Sequence, residues 1–174
     1  MIKSIIRFIL IIFFLSISQS FSNEQDKAGN DGVGSIMPKT SISKKPIKIT
    51  KYKSAEKKII KAKKLEKKGK YEKAEKLYNE ALEDLYKVNK KYPFQAEILN
   101  YLGFANNKIN KLEDAEIYYV MGLEINPNHL SMNEYLGKLY VSTNRIELAR
   151  ERLDVLKSCN CEEYRKLKIV IESN

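Results

Sequence analysis

The sequence predicts an all-α fold built from repeated helical hairpins. The chain has 174 residues with only seven Gly and four Pro, too few for a loop-rich β protein or a collagen-like one. Small residues and prolines recur every 34 residues, a period that accommodates one pair of helices. The positions that carry this period are Gly69, Gly103 and Gly137, Ala81, Ala115 and Ala149, and Pro93 and Pro127.

The first element, residues 1–22, is predicted to be a secretory signal peptide. Lys3 and Arg7 precede an uncharged apolar run from Phe8 to Ile17, and small polar residues follow it. This run is shorter than the ~20 apolar residues that cross the hydrocarbon of a bilayer. We therefore expect cleavage before Phe21 or Asn23 and a periplasmic or secreted protein.

Residues 23–54 are predicted to form a disordered, lysine-rich linker, because their apolar residues are isolated and follow neither a helical nor a strand period. Between Lys44 and Lys76, fifteen lysines and four glutamates give +11. The whole chain carries +10, so the remainder sums to −1. Such a segment either attracts an anionic membrane or envelope polymer or is an ordinary solvated surface. No nucleic acid is expected, because neither Arg nor regularly placed aromatic residues accompany the lysines.

The segment Ala96–Asn128 identifies the type of repeat. It contains Leu102-Gly103, then Ala115, Tyr119 and Pro127. This pattern resembles one complete tetratricopeptide repeat, in which a small residue such as Ala115 lies where the second helix crosses the first. The resemblance implies a right-handed solenoid of helical hairpins, with repeats at 55–95, 96–129 and 130–163 and a capping helix at 162–174.

The first repeat needs a longer second helix than the others. By the 34-residue spacing alone, Gly69 would lie within the first helix of its repeat, as Gly103 does. The turn between the two helices of that repeat would then fall inside a strongly helical run. We instead expect Gly69 to close a first helix, Ala55–Lys68, and Tyr71 to open a second helix that continues to near Lys90. This longer repeat resembles the variant found in kinesin light chains and their bacterial relatives.

Two cysteines, Cys159 and Cys161, precede the capping helix. This region resembles small exported bacterial tetratricopeptide proteins in which a Cys loop precedes a Glu-Glu-Tyr helix, although their loop is longer. A disulfide, a redox couple and a soft-metal site are all compatible with the pair. An exported compartment favours the disulfide.

The resemblance also implies a concave groove lined by the first helix of each repeat. Tyr101, Phe104 and Tyr135 are expected to be exposed there and to anchor a peptide. The Lys and Asn pattern with which some family members clamp a terminal carboxylate is not reproduced. The expected groove residues are Glu97, Asn100, Tyr101, Phe104, Asn107, Lys108, Glu134, Tyr135 and Lys138, with Val141 in the third repeat and Glu56, Ile59 and Lys63 from the first.

The composition offers few parts for catalysis. One His, two Cys and no Gly-rich phosphate loop predict no enzyme, no cofactor and no metal site. The expected function is that of a non-catalytic exported adaptor or scaffold that binds a peptide or protein partner in its groove. The alternatives are a thiol-redox or copper-handling accessory protein using the Cys-Asn-Cys loop, and a binder of anionic envelope polymers through the lysine-rich segment.

Overall fold

The structure of the protein is a computed structural model, which describes residues 50–174. The described residues contain helices and no β-strand, which confirms the predicted all-α fold. A short 3-10 turn, Lys157–Cys159, precedes the last helix. The helices are α1 (Thr50–Glu66), α2 (Tyr71–Lys91), α3 (Ala96–Lys108), α4 (Leu112–Ile125), α5 (Leu130–Ser142), α6 (Ile146–Leu156) and α7 (Glu162–Glu172).

Three helical hairpins stack in chain order. They pair α1 with α2, α3 with α4, and α5 with α6. The same turn closes the first helix of each hairpin. Gly69, Asn110 and Asn144 all adopt left-handed backbone conformations, with φ of 68°, 60° and 58°. Gly and Asn tolerate this region better than other residues. These positions are 41 and 34 residues apart, as the expected long second helix of the first hairpin requires.

The backbone hydrogen bonds of the three turns are equivalent. In each turn the N–H of the residue after the left-handed position donates to the carbonyl five residues earlier, as in a Schellman motif. These bonds satisfy carbonyls that the end of a helix would otherwise leave without a partner. The three bonds are Lys70 to Leu65 at 3.0 Å, Lys111 to Asn106 at 2.9 Å, and Arg145 to Tyr140 at 2.7 Å.

Helix α1 begins earlier than predicted. It starts at Thr50, so the last five residues of the expected disordered linker are helical, and that part of the prediction is wrong. Tyr52 packs edge-to-face on Tyr101 with ring centroids 5.8 Å apart, and the Ser54 hydroxyl donates to Asp84 at 3.1 Å. These tertiary contacts stabilise an extra helical turn that the local composition does not predict.

The hairpins pack through small residues. Ala115 is fully buried, and a Cβ added at Gly103 would lie 2.6 Å from the Tyr119 ring. A Cβ at Gly137 would lie 2.5 Å from Leu167 of α7. Helix α7 therefore packs on the first helix of the third hairpin, as the capping prediction requires.

No helix within residues 50–174 combines the length and the apolarity needed to cross a membrane. The predicted signal peptide and residues 23–49 of the predicted linker lie outside the described residues.

Ala115→Leu should lower the free energy of unfolding by about 1 to 3 kcal/mol, because the larger side chain would overpack a filled helix crossing. Glu124→Leu on the exposed side of α4 is the matched control and should change it by less than about 0.5 kcal/mol. Asn110 is unsuitable as a control, since its left-handed backbone would penalise Leu by itself. Urea unfolding followed by circular dichroism provides the measurement, and parent-like stability of Ala115→Leu would contradict the proposed packing.

Candidate functional site

Three aromatic rings from three helices meet beneath the expected groove. Phe104 of α3 lies between Tyr135 of α5 and Tyr78 of α2, with centroid distances of 5.2 and 6.0 Å. The Lys63 ammonium of α1 lies 4.0 Å from the Phe104 centroid and 6.0 Å from that of Tyr135. Residues separated by up to 72 positions in the sequence thus meet at one cation–π cluster.

Phe104 is only 6% exposed, so the prediction that its ring lies open in the groove is wrong. Neighbouring rings pack against it and the Lys63 ammonium lies over its face. Tyr101 and Tyr135 are half-buried and retain accessible surface. Phe104 therefore supports Lys63, and Tyr135 is the aromatic side chain beside it that a ligand can reach.

Lysines outnumber carboxylates around this cluster. Lys108 lies 3.0 Å from Glu66, which also accepts a hydrogen bond from the Tyr78 hydroxyl at 3.0 Å. The side chain of Lys138 donates to Glu134, which is buried. Both carboxylates therefore already have a lysine partner.

Lys63 differs from these lysines because no carboxylate among residues 50–174 lies within ion-pair distance of its ammonium. Burial lowers the pKa of Lys63 from its ordinary value, and the charge of Lys108 lowers it further. Lys166 of α7 has the same effect, whereas Glu134 and Glu66 partly oppose it. The centre of the groove thus holds a partly desolvated positive charge.

The N-terminal ends of α1 and α3 have the opposite character. The Tyr101 hydroxyl donates to Glu56 at 3.0 Å. Burial raises the pKa of Tyr52 to about 12, and the charges of Glu97 and Glu56 add to this effect. The groove therefore has an acidic, tyrosine-rich edge and a lysine-rich centre.

His129 precedes α5 and lies beside the acidic edge of the groove. Its side chain is only 11% exposed, and its Nδ1 accepts a hydrogen bond from the backbone N–H of Met132 at 3.3 Å, which caps α5. Its Nε2 lies 3.4 Å from Glu97. The hydrogen bond from His129 lowers the pKa of Glu97, and burial partly offsets this shift.

The remaining predicted groove residues differ in exposure. Asn107 is half-buried, and Val141 and Ile59 are buried in the core. Asn100 is buried too, and its Oδ1 accepts no hydrogen bond from any described residue. An acceptor that is buried without a partner costs free energy, so Asn100 does not add to the stability of this part of the groove as a paired side chain would.

Cys159 and Cys161 form a disulfide with their Cα atoms 5.1 Å apart. Asn160 between them is left-handed, with φ of 46°. Glu162 and Glu163 follow in the first turn of α7, where negative charge favours a helix. Cys159 packs against the core cluster built from α4 to α7, so the loop is tied to the C-terminal end of the fold. No group of three potential metal-ligating His, Cys, Asp or Glu side chains occurs between residues 50 and 174.

Comparison with known proteins identifies the fold. No protein-family model matches the sequence, and no curated protein is significantly similar to it. A tetratricopeptide repeat protein from Parabacteroides merdae is similar in structure, with a TM-score of 0.51 and 18% identity over 69% of this chain. The match spans 59% of the length of that protein. At this identity the likeness establishes the tetratricopeptide fold alone.

Two further solved structures have lower scores. The TPR2B domain of yeast Sti1, solved as a complex with pHsp70, has a TM-score of 0.48 and 18% identity. The match covers 69% of this chain and 94% of that domain's chain. The first TPR domain of human RPAP3 has a TM-score of 0.46 and 20% identity, covering 70% and 95%.

Replacing both cysteines by Ser should leave the helices formed and lower the free energy of unfolding by only roughly 1.5 kcal/mol, because the closed loop is very short. Ser158→Ala in the same turn is the control. Alkylation followed by mass spectrometry shows whether the thiols are blocked, and urea unfolding gives the stability. Free thiols that bind Cu(I) tightly would contradict a purely structural disulfide and favour the metal-handling alternative.

Proposed function

We propose that this tetratricopeptide-fold chain is a non-catalytic adaptor that binds an acidic segment of a partner protein in the groove lined by α1, α3 and α5. The observation that carries the proposal is the Lys63 ammonium. It is partly desolvated, lies over Phe104, and has no carboxylate partner among residues 50–174.

A carboxylate from a bound segment would complete the environment of Lys63. Hydrogen bonds between charged groups are the stronger ones in proteins, and their strength increases where water is partly excluded. Lys108 and Lys166 lie close enough to lower the pKa of Lys63, so the same positive charges would attract an acidic ligand. Tyr135 and Tyr101 at the groove surface provide apolar contact with polar tips, which suits peptide recognition.

A non-catalytic role fits the way these ionisable groups are arranged. The carboxylates Glu66 and Glu134 are each engaged with a lysine, and Glu56 accepts from Tyr101. These pairs fix side chains in place, whereas a covalent mechanism requires a nucleophile beside a general base. These paired groups suit a preformed binding surface.

Export is part of the proposal, and the charged, apolar and small-residue order of residues 1–22 supports it. Intact-mass measurement on protein from its native host should give a chain that begins at Phe21 or Asn23. A mature species that retains Met1 would contradict cleavage and favour a membrane-anchored chain.

Lys63→Gln should weaken binding of acidic peptides by about tenfold, or about 1.4 kcal/mol, because it removes the groove charge that has no carboxylate partner among residues 50–174. Suitable probes are short fluorescent peptides with a central Tyr that differ only in flanking Glu, Gln or Lys residues. Lys90→Gln, on the exposed surface of α2, removes the same charge away from the groove and should change affinity less than about twofold. Fluorescence anisotropy measures both, and equal affinity for Glu and Lys peptides would contradict the proposal.

A further inference from the structure

Helix α1 carries a row of exposed lysines on the face opposite its core contacts. Its core face packs on α2 through Ala55, Ile59 and Ala62. Spacings of four, four and three residues place four lysines on one side of the helix. With a rise of 1.5 Å per residue they extend over about 16 Å. This outer lysine row consists of Lys53, Lys57, Lys61 and Lys64, all exposed.

Within residues 50–174, no acidic group lies within ion-pair distance of any lysine of the outer row. Several other lysines do have such partners. Lys58 on the same helix lies 2.8 Å from Asp84, and Lys157 lies 2.7 Å from Asp154. Like charges one helical turn apart repel each other and destabilise a helix. The row therefore concentrates charge where nothing in the described chain neutralises it.

The surroundings of the outer lysine row favour an extended, charged ligand. Ile60, which is 48% exposed, is the large apolar side chain on this side of α1. A helix that inserts into a membrane surface needs a whole apolar face, so this side of α1 does not suit insertion. No aromatic side chain lies between the four lysines, so the row has no platform on which nucleic-acid bases could stack. Exposed Lys67, Lys68 and Lys70 continue the positive charge beyond the end of the helix.

We infer that the outer lysine row binds a linear polyanion, a chain of repeating phosphate or carboxylate groups that lies along α1. Each turn of the helix presents one ammonium to such a chain, and ligand binding would remove the repulsion within the row. The site is separate from the groove, because the ammonium of Lys63 on the same helix lies over Phe104 instead. Since exposed charges carry the interaction, salt screens it strongly.

The test uses the complete chain with two probes, long-chain inorganic polyphosphate and poly-glutamate, which distinguish a phosphate from a carboxylate polymer. Replacing Lys53, Lys57 and Lys61 by Gln should weaken polyanion binding by about tenfold or more at low salt and reduce the dependence of affinity on salt concentration. The matched control replaces Lys87, Lys90 and Lys111 by Gln. It removes the same net charge from exposed positions outside the row and should weaken binding less than about twofold.

Lys63→Gln separates this site from the groove. It should weaken acidic-peptide binding but weaken polyphosphate binding by less than about twofold, because the outer lysine row stays intact. Circular dichroism establishes that each variant retains its helices. Equal losses in the row variant and the control would overturn the inference, since net charge alone would then account for binding. Absence of binding at low salt, or row-dependent binding to phosphatidylglycerol vesicles but to neither polymer, would also overturn it.

Discussion

The turn that closes the first helix of each hairpin is the constraint on which the other features depend. Gly69, Asn110 and Asn144 take the same left-handed conformation, and the same hydrogen bond follows each of them. Because these turns fix where every second helix begins, they also determine which side chains cross. Ala115 and Gly103 then lie at close contacts where larger residues would not fit. The long α2 changes the spacing of the first hairpin without changing its turn.

This stacking also determines the electrostatics of the groove. It brings Lys63 of the first hairpin over Phe104 of the second and near Tyr135 of the third. The capping helix contributes Lys166, whose charge helps lower the pKa of Lys63. Three hairpins and the cap therefore combine to hold one ammonium partly out of water, with no carboxylate of residues 50–174 within ion-pair distance. On the face of α1 opposite its core contacts, the outer lysine row is exposed.

The sequence predicted what local chemistry and periodicity determine. Turn residues identified the long first repeat, and the 34-residue period located Ala115 and Ala149, both fully buried. Contacts between hairpins were not predictable in the same way. Phe104 is covered in part by Lys63, which lies 41 positions earlier in the sequence. The first turn of α1, from Thr50, is held by contacts with Tyr101 and Asp84. The contact between His129 and Glu97 likewise forms only when the second and third hairpins stack.

The central claim, that the groove holds a lysine charge available to an acidic ligand, is tested most directly by measuring the pKa of Lys63. A ¹³C NMR titration of lysine side chains, assigned with Lys63→Gln, resolves this group from the exposed lysines. We predict that Lys63 titrates below its ordinary pKa in the free protein, because burial and Lys108 disfavour its charge. An acidic peptide should raise this pKa, since a nearby carboxylate stabilises the ammonium. A Lys63 that titrates with the exposed lysines and does not respond to the peptide would contradict the claim.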